Sequence, residues 1–231
     1  MDYDKEQKEI QKIEQFLDCP NHHILEVGCG DGRVSALLAP KAQAYVAIDT
    51  DPQRLDKARS TYPEVDFQLG NGEALNFADA SFNGVLFTLS LHHQESRVAL
   101  QEAFRVLAEN GQAVIVEPAA DGEFQQFFHI FDDETDVLTQ ALNAITLSNF
   151  EFERHETFCT TVTFNDYEEL CSYPFDRTIR QPEDRDRILD TLRRLRGSLK
   201  DGQPIHLHEK LHTFYYKRSA CHQYRFIEQD N

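Results

Sequence analysis

The sequence predicts an α/β fold, in which a mostly parallel, doubly wound sheet is covered by helices on both faces and a helical cap follows. Three observations predict it. The apolar runs Ile24–Val27, Ala44–Ile48 and Ala113–Val116 are continuous rather than alternating, as strands buried on both faces are. Segments of helical period separate them, long enough to carry the chain across between parallel strands. The texture changes after Pro118, where a helical stretch and two long strand-like segments replace the alternation.

The elements follow in order. Residues 3–17 read as a helix, with Ile10, Ile13 and Leu17 three or four apart, stopped at Cys19-Pro20. The strand at 24–27 runs into Gly28-Cys29-Gly30-Asp31-Gly32, and Arg33 to Ala39 is helical until Pro40. The strand at 44–48 ends on Asp49; Asp51 then caps a helix whose first position is Pro52. A strand near 65–69, a loop at 70–80 and a strand at 83–89 come next. The helix near 94–107 carries Leu100, Phe104 and Leu107 on one face, and a turn at Glu109-Asn110-Gly111 leads into the strand at 113–116. Phe124, Phe127, Phe128 and Phe131 share a helical face, which Asp132-Asp133-Glu134 interrupts before Val137 to Ile145 resume the period. That stripe reads either as core or as the wall of an apolar or aromatic acceptor pocket. Residues 152–164 and 205–217 read as an antiparallel pair closing the sheet, with a short helix at 166–171 and a charged one at about 183–199 inserted between them. The chain is expected as a single domain, 1–231, in which 20–118 hold a cofactor and 119–150 with 165–204 cap the substrate.

Composition narrows the partners. The 231 residues carry 40 Asp and Glu against 23 Lys and Arg, a formal net charge of −17, so no basic footprint for nucleic acid or an anionic membrane is expected. No apolar run approaches the ~18 residues of a membrane span, and Met1-Asp2-Tyr3-Asp4-Lys5-Glu6 resembles neither a signal nor a transit sequence. Five cysteines, Cys19, Cys29, Cys159, Cys171 and Cys221, are widely spaced and never form CxxC, which argues against a disulfide framework or zinc ribbon. A cytoplasmic protein is expected.

The glycine loop carries the most chemistry. Glycines at a strand-to-helix turn let the backbone approach a ligand closely, under the partial positive charge of the helix N-terminus. A dinucleotide site would place a third glycine where Arg33 stands, which disfavours a nicotinamide-dependent oxidoreductase. Asp49 sits at the strand end where an acidic side chain accepts hydrogen bonds from ribose hydroxyls. In Gly70-Asn71-Gly72-Glu73-Ala74-Leu75, Asn71 could meet an adenine amine and the backbone of Gly72 or Glu73 a ring nitrogen; Asn71 could equally form an Asx-turn. All three clusters lie beyond the carboxyl ends of strands, where open α/β sheets bind ligands, and together they spell an adenosine site.

With Arg105-Val106-Leu107 through Gly111 to Ile115-Val116-Glu117-Pro118, these motifs resemble class I S-adenosylmethionine-dependent methyltransferases, most closely the ubiquinone/menaquinone-biosynthesis (type 11) branch. The resemblance covers about residues 20–118. It implies a Rossmann-like seven-stranded mixed sheet in the order 3-2-1-4-5-7-6 with strand 7 antiparallel, and S-adenosylmethionine as cofactor. It further implies that Glu26 and the loop Gly28, Cys29, Gly30 and Gly32 hold the methionine moiety and Asp49 the ribose. Thr50 and Asp51 would flank the adenine, Asn71, Gly72 and Glu73 would read its edge, and Leu89 or Ser90 would touch the amino-acid end. The branch more often has Asp where Asn71 stands.

His92 and His93 leave the fourth strand toward the cleft and are the candidate catalytic residues, as a base for a protonated acceptor or as positioning groups. No metal site is expected: His206, His208 and His212 share a strand face with Lys210, which would repel a cation, opposite the core-facing Ile205, Leu207 and Leu211. Residues 176–200 hold eight basic residues (Arg177, Arg180, Arg185, Arg187, Arg193, Arg194, Arg196, Lys200) against five acidic ones (Asp176, Glu183, Asp184, Asp186, Asp190), net +3. That stretch reads as a solvated helix or as the binding face for an acidic acceptor. The expected activity is methyl transfer by in-line displacement to a small molecule, aromatic or acidic. The alternative is a catalytically silent protein of the same fold that acts through a partner.

Overall fold

The computed structural model describes residues 1–172, 182–197 and 202–219. Its centre is one sheet of eight strands: β1 (Asp2–Tyr3), β2 (His23–Val27), β3 (Ala44–Asp49), β4 (Asp66–Leu69), β5 (Phe82–Thr88), β6 (Leu107–Pro118), β7 (Glu151–Phe164) and β8 (Ile205–Lys217). Their order is β1-β7-β8-β6-β5-β2-β3-β4. Strands β4, β3, β2, β5 and β6 are parallel neighbours, and β8 runs antiparallel to both β6 and β7. The expected count of seven is corrected by β1, which adds an antiparallel edge strand to β7. Without it, reading from the opposite edge gives β4-β3-β2-β5-β6-β8-β7.

The expected helix over 3–17 is also corrected. Asp4 and Gln7 adopt left-handed backbone angles, and the Asp4 carboxylate accepts from the amides of Lys8 (3.0 Å) and Glu9 (2.8 Å). This caps a shorter helix, α1 (Lys8–Glu14), and frees residues 2–3 to pair as a strand. Helix α2 (Ser35–Leu38) is a single turn followed by a 3-10 turn at Pro40. Helix α3 (Pro52–Thr61) begins as its cap predicts, with Asp51 accepting from Gln53 and Arg54. Helix α4 (Ser96–Val106) then passes straight into β6: the expected turn at 109–111 is an irregularity in the strand, with Asn110 at φ 62°.

Helices cover both faces. On one, Ile10 and Ile13 of α1, Leu38 of α2 and Leu55 and Ala58 of α3 pack on Ile24, Leu86, Val114 and Tyr215. On the other, Leu100 and Ala103 of α4 and Ile145 of α6 (Thr135–Thr146) pack on Leu25, Val85, Phe87 and Ile115. Helix α6 therefore belongs to a layer, not to the expected cap, and only its N-terminal end rises toward the strand ends. A separate cluster joins α5 (Glu123–Phe128), α7 (Tyr167–Ser172) and α8 (Pro182–Arg196) through Phe124, Phe127, Leu170, Ile188 and Leu192. The phenylalanine stripe thus forms part of that cluster's core: Phe127 is fully buried between Phe131 and Phe164. Among the described residues no helix is long and apolar enough to cross a membrane.

Candidate active site

The glycine loop joins β2 to α2, and its geometry explains the glycines. Gly28, Gly30 and Gly32 all have positive φ (79°, 57° and 85°), where a side chain is strained. At Gly28 a Cβ would lie 2.4 Å from the Cβ of Ser90, and at Gly32 one would lie 2.7 Å from the Phe67 ring. Gly30 differs. A Cβ there would meet only the tip of Arg54, at 3.4 Å, so open space lies above the loop. Asp49 faces that space: its Oδ2 accepts from the Gly30 amide (2.7 Å) and its Oδ1 from the Asp51 amide (2.9 Å), leaving further lone pairs on both oxygens. The Gly28 and Cys29 amides bond to the Ile48 carbonyl, locking the loop against the end of β3. An open cradle beside a fixed carboxylate fits the ribose and methionine portions of an adenosyl ligand.

Other expected site residues have more specific surroundings. Glu26 is fully buried and accepts from Ser35 Oγ (2.5 Å), Tyr45 OH (2.9 Å) and Thr88 Oγ1 (3.2 Å). Burial raises its pKa, against those three hydroxyls; its carboxylate braces β2, β3 and α2 from below rather than opening onto the loop. The Cys29 thiol is likewise buried, which pushes its pKa up and leaves it unsuited to nucleophilic work. Asn71 is exposed and forms the Asx-turn, its Oδ1 accepting from the Glu73 amide at 2.9 Å. Thr50 is exposed at the loop's edge and Asp51 is occupied in capping α3. Gly72 is packed under the Gln94 side chain, where a Cβ would fall 2.2 Å from Oε1.

Strand β5 ends in a strained corner. Leu89 has φ 53°, uncommon for a residue with a branched side chain. The turn aims Ser90 inward, where its Oγ donates to the Val27 carbonyl at 2.6 Å. Glu117, fully buried at the end of β6, gathers the segment that follows: Oε1 accepts from the amides of Ser90 (3.2 Å) and Leu91 (2.9 Å), and Oε2 lies 2.5 Å from His92 Nδ1. A carboxylate only accepts, so Nδ1 carries the hydrogen and Nε2 is turned the other way, 4.0 Å from Glu134. Burial alone would lower the His92 pKa, but Glu117 and Glu134 outweigh it and the net direction is up.

A cavity of about 500 Å³ opens here. The loops that follow β4 and β5 contribute Glu73, His92, His93 and Glu95 to its wall, and the segment before α6 contributes Asp132, Asp133 and Glu134. Glu73 belongs both to this wall and to the cluster after β4, whose Gly70 amide donates to the Asp49 carbonyl at 3.0 Å, so one loop links the cavity to the cradle. Five carboxylates and two imidazoles make the wall acidic, at odds with the expected acidic acceptor. None of the described basic residues of α8 is among the lining residues; Arg193 pairs with Asp190 and Arg196 with Glu123. Arg177, Arg180, Lys200 and Asp176 lie outside the described residues, as do Cys221 and the side chains of Glu183, Asp184 and Arg185.

The model of a family described as a methyltransferase domain matches residues 25–115. Curated relatives include a probable S-adenosylmethionine-dependent methyltransferase of Mycolicibacterium smegmatis, 33% identical over 101 residues, with 43% of this chain and 39% of the relative aligned. A demethylmenaquinone methyltransferase of Renibacterium salmoninarum is 32% identical over 127 residues, covering 54% of this chain and 52% of its own. The chain thus spans about two fifths to one half of the length of these relatives. The structure of a Bacillus halodurans protein described as a putative methyltransferase superposes with a TM-score of 0.65 at 21% identity, covering 91% of this chain and 97% of that one. The YcgJ protein of Bacillus subtilis gives 0.67 at 20%, with the same coverage. These structures share the α/β methyltransferase fold from edge to edge. S-adenosylmethionine is the cofactor that this likeness implies, and the cradle over Gly30 with Asp49 fits it.

Sequence reasoning passed over one residue of the wall, Glu134, and two buried carboxylates behind it. Glu134 stood only as a break in a helical period, and Glu117 only within the motif that closes the strand at 113–116. Glu209 was hidden among the histidines of β8, although alternation from Ile205 through Leu207 to Leu211 puts it on the core face. It is 2% exposed, and its Oε2 has no hydrogen-bond partner among the described residues.

Proposed function

We propose that the protein transfers the methyl group of S-adenosylmethionine to a small molecule seated in the acidic cavity beside the glycine loop. The observation that carries this reading is the pairing of an open cradle at Gly30 and Asp49 with a cavity that starts at Glu73. The cofactor supplies an electrophilic methyl on a sulfonium, whose leaving group needs no help from a protein acid. What remains for the protein is orientation and exclusion of water. Asp49 would hold the ribose, the loop from Gly28 to Gly32 and Ser90 the methionine end, and Gly72 with Glu73 the adenine edge. His92, its ring fixed by Glu117, and His93 would meet the acceptor across the cavity. Five carboxylates in the wall favour an acceptor that is neutral or cationic where it enters.

Calorimetric titration with S-adenosylmethionine and S-adenosylhomocysteine tests the cofactor half. Wild type should bind both, and Asp49→Ala should bind at least about tenfold more weakly, the scale of one charge-assisted hydrogen bond. No heat with wild type overturns the reading. Transfer of labelled methyl from the cofactor into a metabolite extract then separates an enzyme from a silent protein of the same fold.

A further inference from the structure

The wall of the cavity contains a second arrangement that methyl transfer does not require. A ligand atom of His92, one of His93 and a carboxylate oxygen of Glu134 all lie within 4.8 Å of one another. Two imidazoles and a carboxylate are a donor set for divalent transition metals, found both in zinc enzymes and in sites that keep coordination positions open. The His92 ring is already oriented for such use. Glu117 takes its Nδ1 hydrogen at 2.5 Å and is itself fixed by two backbone amides, so the Nε2 lone pair is aimed at the wall. A carboxylate behind a histidine in this way is the outer-shell partner that metal-ligating histidines carry.

Glu134 adds to this. It occupies the N-cap position of α6, yet its side chain makes no capping bond, and it lies instead 4.0 Å from His92 Nε2. Neighbouring donors around a tetrahedral ion, with bonds of about 2.1 Å, sit roughly 3.0–3.5 Å apart. The three groups therefore need to close by about 1 Å, a movement that exposed His93 and partly buried Glu134 can make by turning side chains. Asp132 and Asp133 line the same wall, so negative charge there exceeds what the two histidines balance even when protonated.

We propose that His92, His93 and Glu134 bind a divalent first-row transition-metal ion, with Glu117 as the outer partner that orients His92, and that the ion's remaining positions open onto the cavity for an oxygen or nitrogen donor. The last clause rests on the methyltransferase reading; the binding of the ion does not. The expectation drawn from β8 alone, that the chain holds no metal, concerned a different face. There His212 lies against His155 at 3.1 Å beside Lys210, which pairs with Asp121.

The test uses the full chain without a histidine tag and with no cofactor added. Cobalt(II) is titrated while visible absorption reports its coordination, and zinc is then added in competition. Wild type should take up a single Co²⁺ with absorption bands of nitrogen-and-oxygen ligation, displaced by Zn²⁺. His93→Ala and Glu134→Gln should each weaken binding at least tenfold, with thermal unfolding recorded for both so that a misfolded variant is not read as a lost ligand. His212→Ala should bind as wild type does. The proposal is overturned if wild type shows neither cobalt bands nor zinc competition, if folded His93→Ala or Glu134→Gln binds metal unchanged, or if His212→Ala abolishes binding. Titration with S-adenosylmethionine in parallel keeps failure of the metal site distinct from failure of the cofactor reading.

Discussion

Replacing Glu209 with Gln should make the protein markedly less sensitive to alkaline pH. Glu209 is on the core face of β8, 2% exposed, with Oε2 lacking a hydrogen-bond partner. Burial, reinforced by the charges of Glu134 and Glu9, pushes its pKa from 4.5 to about 8. Between those values the folded protein keeps a proton that the unfolded chain has released. Stability therefore falls as pH rises through this window, and the loss is complete only above pH 8. At 1.36 kcal/mol per pH unit, the full gap is worth about 5 kcal/mol. From pH 5, where roughly 0.8 kcal/mol of that loss has already occurred, to pH 8.5, wild type should lose about 4 kcal/mol through this side chain alone. That is a large share of the ~5–15 kcal/mol that holds a typical domain together. Gln keeps the shape and cannot ionise, so the variant should lose nothing through this position. The chain contains no Trp, so urea unfolding is best followed by far-UV circular dichroism at the two pH values. The comparison of slopes cancels the titrating groups that do not couple to Glu209. Equal losses in wild type and Glu209→Gln would refute the reasoning, because they would mean that Glu209 ionises in the folded state as freely as in water.

The loop glycines should separate stability from ligand binding. Gly28→Ala brings a Cβ to 2.4 Å from Ser90 at φ 79° and should cost about 3 kcal/mol in urea unfolding. Gly30→Ala, with open space above it, should cost only ~1 kcal/mol yet weaken S-adenosylmethionine at least tenfold by calorimetry; unchanged affinity would show that the cradle is not where the ligand lies. Arg105 bonds Glu102, Asp79 and the carbonyls of Leu75 and Phe77, fastening the loop after β4 to α4. Arg105→Lys loses the fork geometry and should lower stability by about 1–2 kcal/mol, read as a shift of the urea midpoint. No shift would mean that the loop holds itself.

Much of the sheet was legible because its signals are local. The continuous apolar runs, the Asp51-Pro52 helix start and the glycine turn each act within a few residues, and β2, β3, β5 and α3 fall where they indicate. Strand β8 coincides with its apolar run at both ends. The N-terminus was misread because Ile10, Ile13 and Leu17 fit a helical period that extends backward through residues 3–7. What ends the helix is the Asp4 side chain capping α1, together with an edge of β7 that offers residues 2–3 partners about 160 positions away in sequence. A period records which residues face the core. It carries no record of distant edges.

The site divides along the same line. The cradle was readable, since glycines at positive φ and an acidic strand end are the chain's own constraints on its backbone. The wall opposite was not, because His92 acquires its meaning only from Glu117, twenty-five residues later on the neighbouring strand, and from Glu134 at the end of a helix that packs beneath. The charge of −17 shows the same difference. In the sequence it excluded polyanionic partners, and the one basic stretch read as a solvated helix or as the binding face for an acidic acceptor. In three dimensions Arg193 and Arg196 of α8 pair with Asp190 and Glu123, while five carboxylates converge on the cavity. Glu95, Asp132 and Asp133 of that wall are exposed and screened by water, whereas Glu73 and Glu134 are partly withdrawn from it, so their charge is felt more strongly by whatever occupies the cavity. The acidic wall is therefore the part of the charge that bears on function, and it favours a cationic acceptor group or a bound metal ion over an anion.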